Sequence, residues 1–343
     1  MQSRTLTVFI GGGFALLVTA AVISGNQVAD AKKGSALRTP CGRADLEAAL
    51  AADDGDPVSG VNPDLVRREP FVTPPTRRYS YGSNAPQFGD LRLPKGSGPF
   101  PVAIVIHGGA WSATASSATS GYRYLSPLAA SLACQGIATW NIEYRRVGIG
   151  GEWPTLFLDV AQAADYVRVL AKQHPLDLNR VFAVGQSAGG HLALWLALRD
   201  KLPPGSVLFS KDPLPILGSI SLAGPPDLEH FLTFFPARYG PIFARLFGAE
   251  IGSPEYMTRI HQSSPAALLP TRKLQFFIVG NLDPSVPFEV FTAYQALAAS
   301  KKQSLQLRVV QESGHFDVAD PAHPQTANYL REAVAAMLGS RSE

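Results

Sequence analysis

The sequence has little cysteine, little net charge and no internal repeats. Only 2 of its 343 residues are cysteine, too few for a disulfide scaffold. The net charge is +3 and basic residues occur together only in short pairs such as Lys32-Lys33, so the sequence lacks the basic patch of a nucleic-acid-binding protein. No repeat or low-complexity tract is present. The remaining composition, 46% hydrophobic and 17% charged, is that of a globular protein able to bury a large core.

Long apolar runs are also scarce, and the single one lies at the N-terminus. Residues 6–23 are apolar or small, Arg4 precedes them, and the tripeptide Ala29-Asp30-Ala31 offers a small-x-small cleavage site. This pattern predicts a signal peptide over residues 1–31 and therefore an exported protein, periplasmic or secreted. An uncleaved anchor is the alternative, because a run of this length approaches the span of a bilayer. A membrane partner is expected only in that second case.

The two cysteines, Cys41 and Cys134, leave two interpretations open. Cys134 lies in an apolar run with helical character, where a buried free thiol is the more common state. In an exported protein the same thiol can pair with Cys41.

The remainder of the chain divides into an arm and a catalytic body. Residues 32–76 are rich in Ala, Asp, Gly and Pro and predict a linker or N-terminal arm, whereas residues 77–343 alternate short apolar runs with helical periodicity. That alternation predicts an α/β fold with a mostly parallel eight-stranded sheet and helices on both faces. The predicted strands are residues 78–81, 88–93, 102–106, 137–144, 180–185, 217–222, 274–279 and 305–310. The predicted helices are residues 120–135, 156–173, 189–201, 288–300 and 324–338.

Two features depart from a simple alternation of strand and helix. No helix separates the first two strands, which predicts an antiparallel pair at one edge of the sheet. Residues 225–269 interrupt the rhythm with many aromatic residues and predict a small cap over the active site, because insertions after a sheet strand often shape binding pockets.

The strongest chemical signal is the pentapeptide Gly185-Gln186-Ser187-Ala188-Gly189. It directly follows a predicted strand and opens a predicted helix. A nucleophile elbow requires this strand-to-helix turn, with small residues two positions before and after the serine so that neighbouring backbone can approach. The sequence therefore predicts that Ser187 is a catalytic nucleophile.

A serine hydroxyl needs a base, and the base needs an orienting carboxylate. His315 follows the last predicted strand, where a loop can return it to the edge that carries Ser187. Asp283 turns off the end of the preceding strand, between Ser187 and His315 in chain order, which is the position expected of the acid. Asp317 is the rival acid, but it lies only two residues from His315 and is poorly placed to reach the imidazole. The predicted triad is Ser187, Asp283 and His315.

A glycine-rich loop follows the third predicted strand. It has the sequence His107-Gly108-Gly109-Ala110-Trp111 and resembles the loops that donate oxyanion-hole N–H groups in esterases and lipases. The predicted oxyanion-hole residues are Gly108, Gly109, Ala110 and Ala188, because their backbone N–H groups would stabilise a negatively charged oxygen. The predicted substrate-binding residues are Trp111 in this loop and Phe231, Phe234 and Phe235 in the cap.

These motifs carry a family resemblance that extends over residues 77–338. The chain resembles the esterase and lipase branch of the α/β-hydrolase family, and within it the small carboxylesterases, carbohydrate esterases and kynurenine-formamidase-like proteins. The matching segments are residues 107–111 (HGGAW), 141–146 (NIEYRR), 153–154 (WP), 159–160 (DV) and 185–194 (GQSAGGHLAL). The resemblance implies an acyl-enzyme mechanism without a metal or organic cofactor.

The substrate expected from these observations is a small carboxylic ester with a short to medium acyl chain. Acetylated or feruloylated carbohydrates are an alternative, as are amides or peptides cleaved by the same triad. A ligand-binding module without turnover is disfavoured because no member of the triad is missing. An exported protein does not suit a cytosolic formamidase, and the phenylalanine-rich cap is more apolar than a usual sugar-binding surface. Glu143, Tyr144 and Arg145 are interpreted as a buried structural network.

Overall fold

The structure is a computed structural model that describes residues 75–113 and 121–339. The predicted signal peptide or anchor, residues 1–31, lies outside the described residues, as do Cys41 and nearly all of the predicted arm over residues 32–76. Those assignments stay predictions. No helix in the described part of the chain is both long and apolar enough to cross a membrane.

Eight strands form one mostly parallel sheet, in the spatial order β1-β2-β4-β3-β5-β6-β7-β8. β1 and β2 are antiparallel, and so are β2 and β4, whereas the other neighbours are parallel. The predicted fold class and antiparallel edge are confirmed. The strands are β1 (Arg77–Ser80), β2 (Phe88–Arg92), β3 (Phe100–Ile106), β4 (Ala138–Ile142), β5 (Leu176–Gln186), β6 (Gly218–Leu222), β7 (Leu274–Gly280) and β8 (Gln306–Val310).

The interior strands are buried because helices cover both faces of the sheet. Every residue of β3 is buried, as is every residue of β4 and β6. The helices are α1 (Ser126–Cys134), α2 (Thr155–Asp165), α3 (Val167–Leu170), α4 (Ala188–Leu198), α5 (Leu228–Phe234), α6 (Pro236–Phe247), α7 (Pro254–Ser263), α8 (Phe288–Ser300) and α9 (Pro324–Gly339).

Some predicted boundaries were wrong for identifiable reasons. The helix predicted over residues 120–135 begins only at Ser126, because Pro127 in its first turn lacks the N–H that an earlier start would require. The helix predicted over residues 156–173 loosens at Tyr166, whose ψ of −20° is that of a 3₁₀ turn. β5 begins at Leu176, four residues early, because Phe100 pairs with Leu176 before the register shifts.

Two further predictions concern the cysteines and the insertion. Cys134, at the end of α1, is disulfide-bonded, so the free-thiol interpretation is wrong. The insertion between β6 and β7 consists of α5, α6 and α7, and it lies within the range predicted for the cap. α6 buries Tyr239, Phe243 and Phe247 along one face, which attaches the insertion to the body of the protein.

The parallel arrangement of the central strands determines where the predicted reactive residues lie. The carboxyl ends of neighbouring parallel strands meet at one edge of a sheet, and ligands bind there in open α/β folds. The segments after β3, β5, β7 and β8 contain, respectively, the glycine-rich loop, Ser187, Asp283 and His315. All predicted reactive residues therefore lie at the same edge.

Candidate active site

Ser187 occupies a strained turn between β5 and α4. Its φ is +54° and its ψ is −123°, a left-handed conformation that costs a residue other than glycine about 1–3 kcal/mol. The N–H of Ser187 donates to the carbonyl of Leu222 over 2.8 Å, which fixes the turn against β6. Strain of this kind persists only where the surroundings hold it, and it presents the serine side chain at the end of the sheet.

Gly185 and Gly189 make this turn possible. A Cβ atom on Gly189 would overlap the carbonyl of Ile106 at the end of β3, and one on Gly185 would overlap the carbonyl of Gly189. The spacing of the small residues in the pentapeptide thus has a steric cause. Any side chain at either position would push α4 away from the sheet and displace the serine between them.

His315 and Asp283 are joined by a hydrogen bond. His315 Nδ1 lies 2.8 Å from Asp283 Oδ2, and because a carboxylate only accepts, Nδ1 is the donor. Both side chains are buried, 7% and 2% exposed respectively. The other carboxylate oxygen, Oδ1, accepts the N–H groups of Ser285 and Val286 over 2.7 and 3.0 Å, which fixes the carboxylate. The rival acid Asp317 instead accepts the N–H of Gly314 over 2.7 Å.

Ser187 and His315 are brought to the same edge, but no hydrogen bond joins them within residues 75–113 and 121–339. Their segments are linked through Gln186, whose Nε2 donates to the carbonyl of His315 over 3.0 Å. Gln186 is fully buried. No role was predicted for Gln186 from the sequence, where its position next to the serine was the only signal. Serine–histidine contacts in free enzymes are often long and shorten when substrate binds.

The glycine-rich loop after β3 turns tightly in front of Ser187. Gly109, Ala110 and Trp111 have φ values of 112°, 51° and 56°, so three consecutive residues are left-handed. The N–H groups of Gly109 and Ala110 donate to no backbone carbonyl among the residues described. A Cβ on Gly108 would lie 3.1 Å from Ser187 Cβ, so the loop directly adjoins the serine. We call residues 107–111 the oxyanion loop, after the role predicted for them from the sequence.

The base of the oxyanion loop is held by a buried polar network. His107 Nε2 lies 2.9 Å from Glu143 Oε1, and the hydroxyl of Tyr144 donates to the carbonyl of His107 over 2.7 Å. Burial alone would raise the pKa of the Glu143 carboxyl, but His107, Arg146 and the N–H of Tyr144 together lower it to about 2. Arg145 pairs instead with Asp159, 2.7 Å away. The structural interpretation of this segment agrees with these contacts.

The far end of the oxyanion loop is held by Trp111 and His191. Trp111 Nε1–H donates to His191 Nδ1 over 3.1 Å, and His191 Nε2 lies 2.9 Å from the carbonyl of Ser263. Nδ1 therefore accepts and Nε2–H donates, which defines a neutral imidazole. His191 is fully buried, and this desolvation lowers its pKa to about 4. In the sequence, His191 stood out only as part of the segment 185–194.

Burial of neutral His191 predicts a specific loss of stability in acid. Because its pKa is about 4 in the folded protein against 6.5 for the exposed group, the unfolded chain takes up the proton first as the pH falls. The stabilising contribution of neutral His191 is fully present above pH 6.5 and is lost towards pH 4. Its loss reduces the free energy of unfolding by up to about 3 kcal/mol. Urea unfolding of the protein at pH 7.5, 6 and 5 measures this slope.

His191→Asn is the matched control for this prediction, because asparagine keeps a buried polar group that does not titrate. The free energy of unfolding of this variant is expected to vary less between pH 7.5 and 5. An identical slope in both proteins would assign the acid sensitivity to other groups.

The predicted substrate-binding residues fall into two classes. Trp111 and Phe231 are 2% and 1% exposed and pack against each other with ring centroids 6.2 Å apart, which favours a supporting role over contact with substrate. Phe235 is half-buried, and Phe234 is 37% exposed. Of the four predicted residues, the last two alone present appreciable surface. Among the described residues no cluster of His, Cys, Asp or Glu is able to hold a metal ion.

Sequence comparison identifies the family to which this chain belongs. A family model described as BD-FAE matches residues 90–297, more than half of the chain. The chain belongs to the BD-FAE family. The matched region of this BD-FAE family member includes the oxyanion loop, Ser187, Asp283 and the cap, whereas His315 lies beyond its end.

Individual relatives add detail to the BD-FAE assignment. The chain is 37% identical over 139 residues to esterase LipC of Mycobacterium tuberculosis, a match that covers 38% of this chain and 33% of the relative. Two further curated relatives are each covered over 58% of their length, so the chain spans at most about three fifths of the curated relatives it matches.

Solved structures show that the fold of this BD-FAE family member is shared. Esterase B from Lactobacillus rhamnosis superposes with a TM-score of 0.66 at 17% identity, over 80% of this chain and 90% of that one. A truncated carbohydrate esterase from gut microbiota gives 0.60 at 19% identity, over 78% of this chain and 98% of that one. Identities this low establish the α/β-hydrolase architecture and nothing finer.

Proposed function

We propose that this protein is a serine carboxylic-ester hydrolase. The observation that carries the proposal is the hydrogen bond between His315 Nδ1 and Asp283 Oδ2, at the sheet edge where Ser187 stands on a strained turn. A buried histidine oriented by a carboxylate, at the same sheet edge as a partly buried serine elbow, is the arrangement that can turn a hydroxyl into a nucleophile. The names of relatives, esterase LipC among them, also support this activity.

In the proposed mechanism, Ser187 Oγ attacks the ester carbonyl while His315 Nε2 accepts the hydroxyl proton. Asp283 keeps the imidazole proton on Nδ1, so that Nε2 is free to accept. The N–H groups of Gly109, Ala110 and Ala188 stabilise the negative oxygen of the tetrahedral intermediate, and Gly108 lets the loop approach the serine. His315 then returns the proton to the departing alcohol, and water hydrolyses the acyl-enzyme by the same steps.

The proposed substrates are esters of short to medium acyl chains. Phe234 and Phe235, on and just after α5, present apolar surface on the insertion after β6. Acetylated or feruloylated carbohydrates form the second candidate class, favoured by the fold shared with a carbohydrate esterase from gut microbiota. Amide or peptide hydrolysis by the same residues is the third.

A series of p-nitrophenyl esters tests the substrate class. We expect kcat/KM to rise from acetyl to butyryl or hexanoyl esters, because each methylene buried in an apolar pocket contributes about 0.8 kcal/mol, or roughly fourfold. Acetylated xylan is assayed beside the series. A fluorophosphonate that labels Ser187 of the same preparation, located by peptide mass analysis, verifies that the measured activity belongs to this site.

A double variant, Phe234→Ala with Phe235→Ala, tests whether the cap aromatics produce the chain-length dependence. It is expected to flatten the rise of kcat/KM with acyl chain length and to leave kcat/KM for the acetyl ester nearly unchanged. Phe209→Ala is the matched control, because Phe209 is 39% exposed and lies outside the cap. A strict preference for acetyl groups on xylan would contradict the proposal and favour a carbohydrate esterase.

A further inference from the structure

The oxyanion loop holds a conformation that its own residues do not favour. Ala110 and Trp111 are both left-handed, with φ values of 51° and 56°, and neither is a glycine. A bulky residue in this region is unusual and is retained only where its surroundings determine the backbone. Because Ala110 carries a proposed oxyanion N–H, any relaxation of Trp111 would move that donor.

The side chain of Trp111 supplies the restraint. Its indole is 2% exposed and packs edge-to-face against Phe243, with ring centroids 5.2 Å apart. Its single polar atom, Nε1, donates to His191 Nδ1 over 3.1 Å. An indole N–H has one hydrogen to donate, so His191 is the acceptor that fixes the rotation of the ring in this apolar surrounding.

His191 is well placed to transmit that restraint to the nucleophile. It lies one turn along α4 from Ser187, and its N–H donates to the carbonyl of Ser187 over 3.0 Å. Its Nε2–H reaches the carbonyl of Ser263 at the end of α7. One imidazole therefore connects the oxyanion loop, the helix that begins at the nucleophile and the last helix of the cap.

We propose that His191 is a positioning residue that, through Trp111, holds the N–H groups of the oxyanion loop in register with Ser187. The proposal rests on the proposed esterase function. It assigns the two ring nitrogens different roles: the Nδ1 contact with Trp111 controls turnover, whereas the Nε2 contact with Ser263 secures the cap. A merely structural histidine would use both contacts equally.

Asparagine and glutamine separate the two contacts. In His191→Asn, the side-chain oxygen takes the place of Nδ1 and continues to accept from Trp111, while the bond to Ser263 is lost. In His191→Gln, the longer amide takes the place of Nε2 and continues to donate to Ser263, while Trp111 Nε1–H loses its acceptor. Each variant loses one buried hydrogen bond, so both are expected to lower Tm by similar amounts.

The expected kinetic results differ between the two variants. We expect kcat on p-nitrophenyl butyrate to fall by about 10- to 100-fold in His191→Gln and by less than about threefold in His191→Asn, with KM nearly constant in both. Only kcat changes because oxyanion stabilisation acts in the transition state. The affinity for an alkyl trifluoromethyl ketone, which adds to the serine to form an anionic tetrahedral adduct, should fall in parallel with kcat.

Further variants and a titration of active sites serve as controls for the two His191 variants. Trp111→Phe removes the indole donor, and its loss of kcat should resemble that of His191→Gln. The double variant, Trp111→Phe with His191→Gln, should lose no more kcat than either single variant. His261→Asn and His261→Gln, at an exposed histidine on α7, are matched controls and should leave kcat and Tm unchanged. Titration of active sites with a fluorophosphonate counts folded enzyme, so partial unfolding lowers the number of sites and not kcat per site.

The outcomes are distinguishable. Equal losses of kcat in His191→Asn and His191→Gln, or losses of kcat that simply follow Tm, would overturn the positioning role and leave the esterase function intact. A wild-type protein that neither hydrolyses esters nor labels at Ser187 would instead overturn the proposed function, whatever the His191 variants do.

Discussion

Ser187→Ala is expected to reduce ester turnover by on the order of 10⁵- to 10⁶-fold while the protein stays folded. Members of a catalytic triad act as a unit, so removal of the nucleophile removes nearly all of their combined effect. The fold should be retained because alanine adds no atoms to the turn between Gly185 and Gly189, and the hydroxyl makes no hydrogen bond among the described residues. Steady-state rates on p-nitrophenyl butyrate and a thermal unfolding curve measure the two effects.

A residual rate of about 10³- to 10⁴-fold over water is compatible with this prediction, because the oxyanion hole and substrate binding still act. Ser300→Ala, the same substitution at the exposed end of α8, is the control and should change neither rate nor Tm. Turnover in Ser187→Ala within tenfold of the unchanged protein would show that another residue is the nucleophile.

Asp283→Asn is expected to lower kcat by about 10⁴-fold, the second-largest effect. The asparagine oxygen can still accept the N–H groups of Ser285 and Val286, so the loop geometry should survive. The amide Nδ2 then faces His315 Nδ1 and donates to it, which moves the imidazole proton to Nε2. His315 in that tautomer has no free lone pair with which to accept the serine proton.

Asp317→Asn is the matched control for this variant, because Asp317 lies two residues from His315 and bonds to Gly314. Its effect on kcat is expected to be below about tenfold, as for a loop contact outside the triad. A larger loss in Asp317→Asn than in Asp283→Asn would transfer the role of the orienting acid to Asp317. Rates for both variants are measured with the same ester, and the enzyme concentration is determined by covalent labelling of Ser187.

Short sequence patterns predicted much of the architecture because they reflect interactions between residues that are close together in the chain. β3 was evident as a short apolar run, since a strand buried on both faces is rich in apolar residues. The elbow at Ser187 was evident because its flanking glycines are required by contacts within a few residues and one neighbouring strand. The start of α1 and the early start of β5 were missed, because a proline in the first turn and a register shift act on boundaries and leave periodicity unchanged.

The sequence by itself determined the fold class and the order of the strands along the chain, and it gave the candidates for the reactive side chains. Only the tertiary structure decided which side chains hold them in place. Gln186 reaches His315 over 129 residues of chain, and His191 reaches Trp111 over 80 and Ser263 over 72. In the tertiary structure, Trp111 and Phe231, which were predicted to bind substrate, are buried in the core. Such contacts depend on how the parallel strands are ordered in space, and no local pattern records which distant side chains that order brings together.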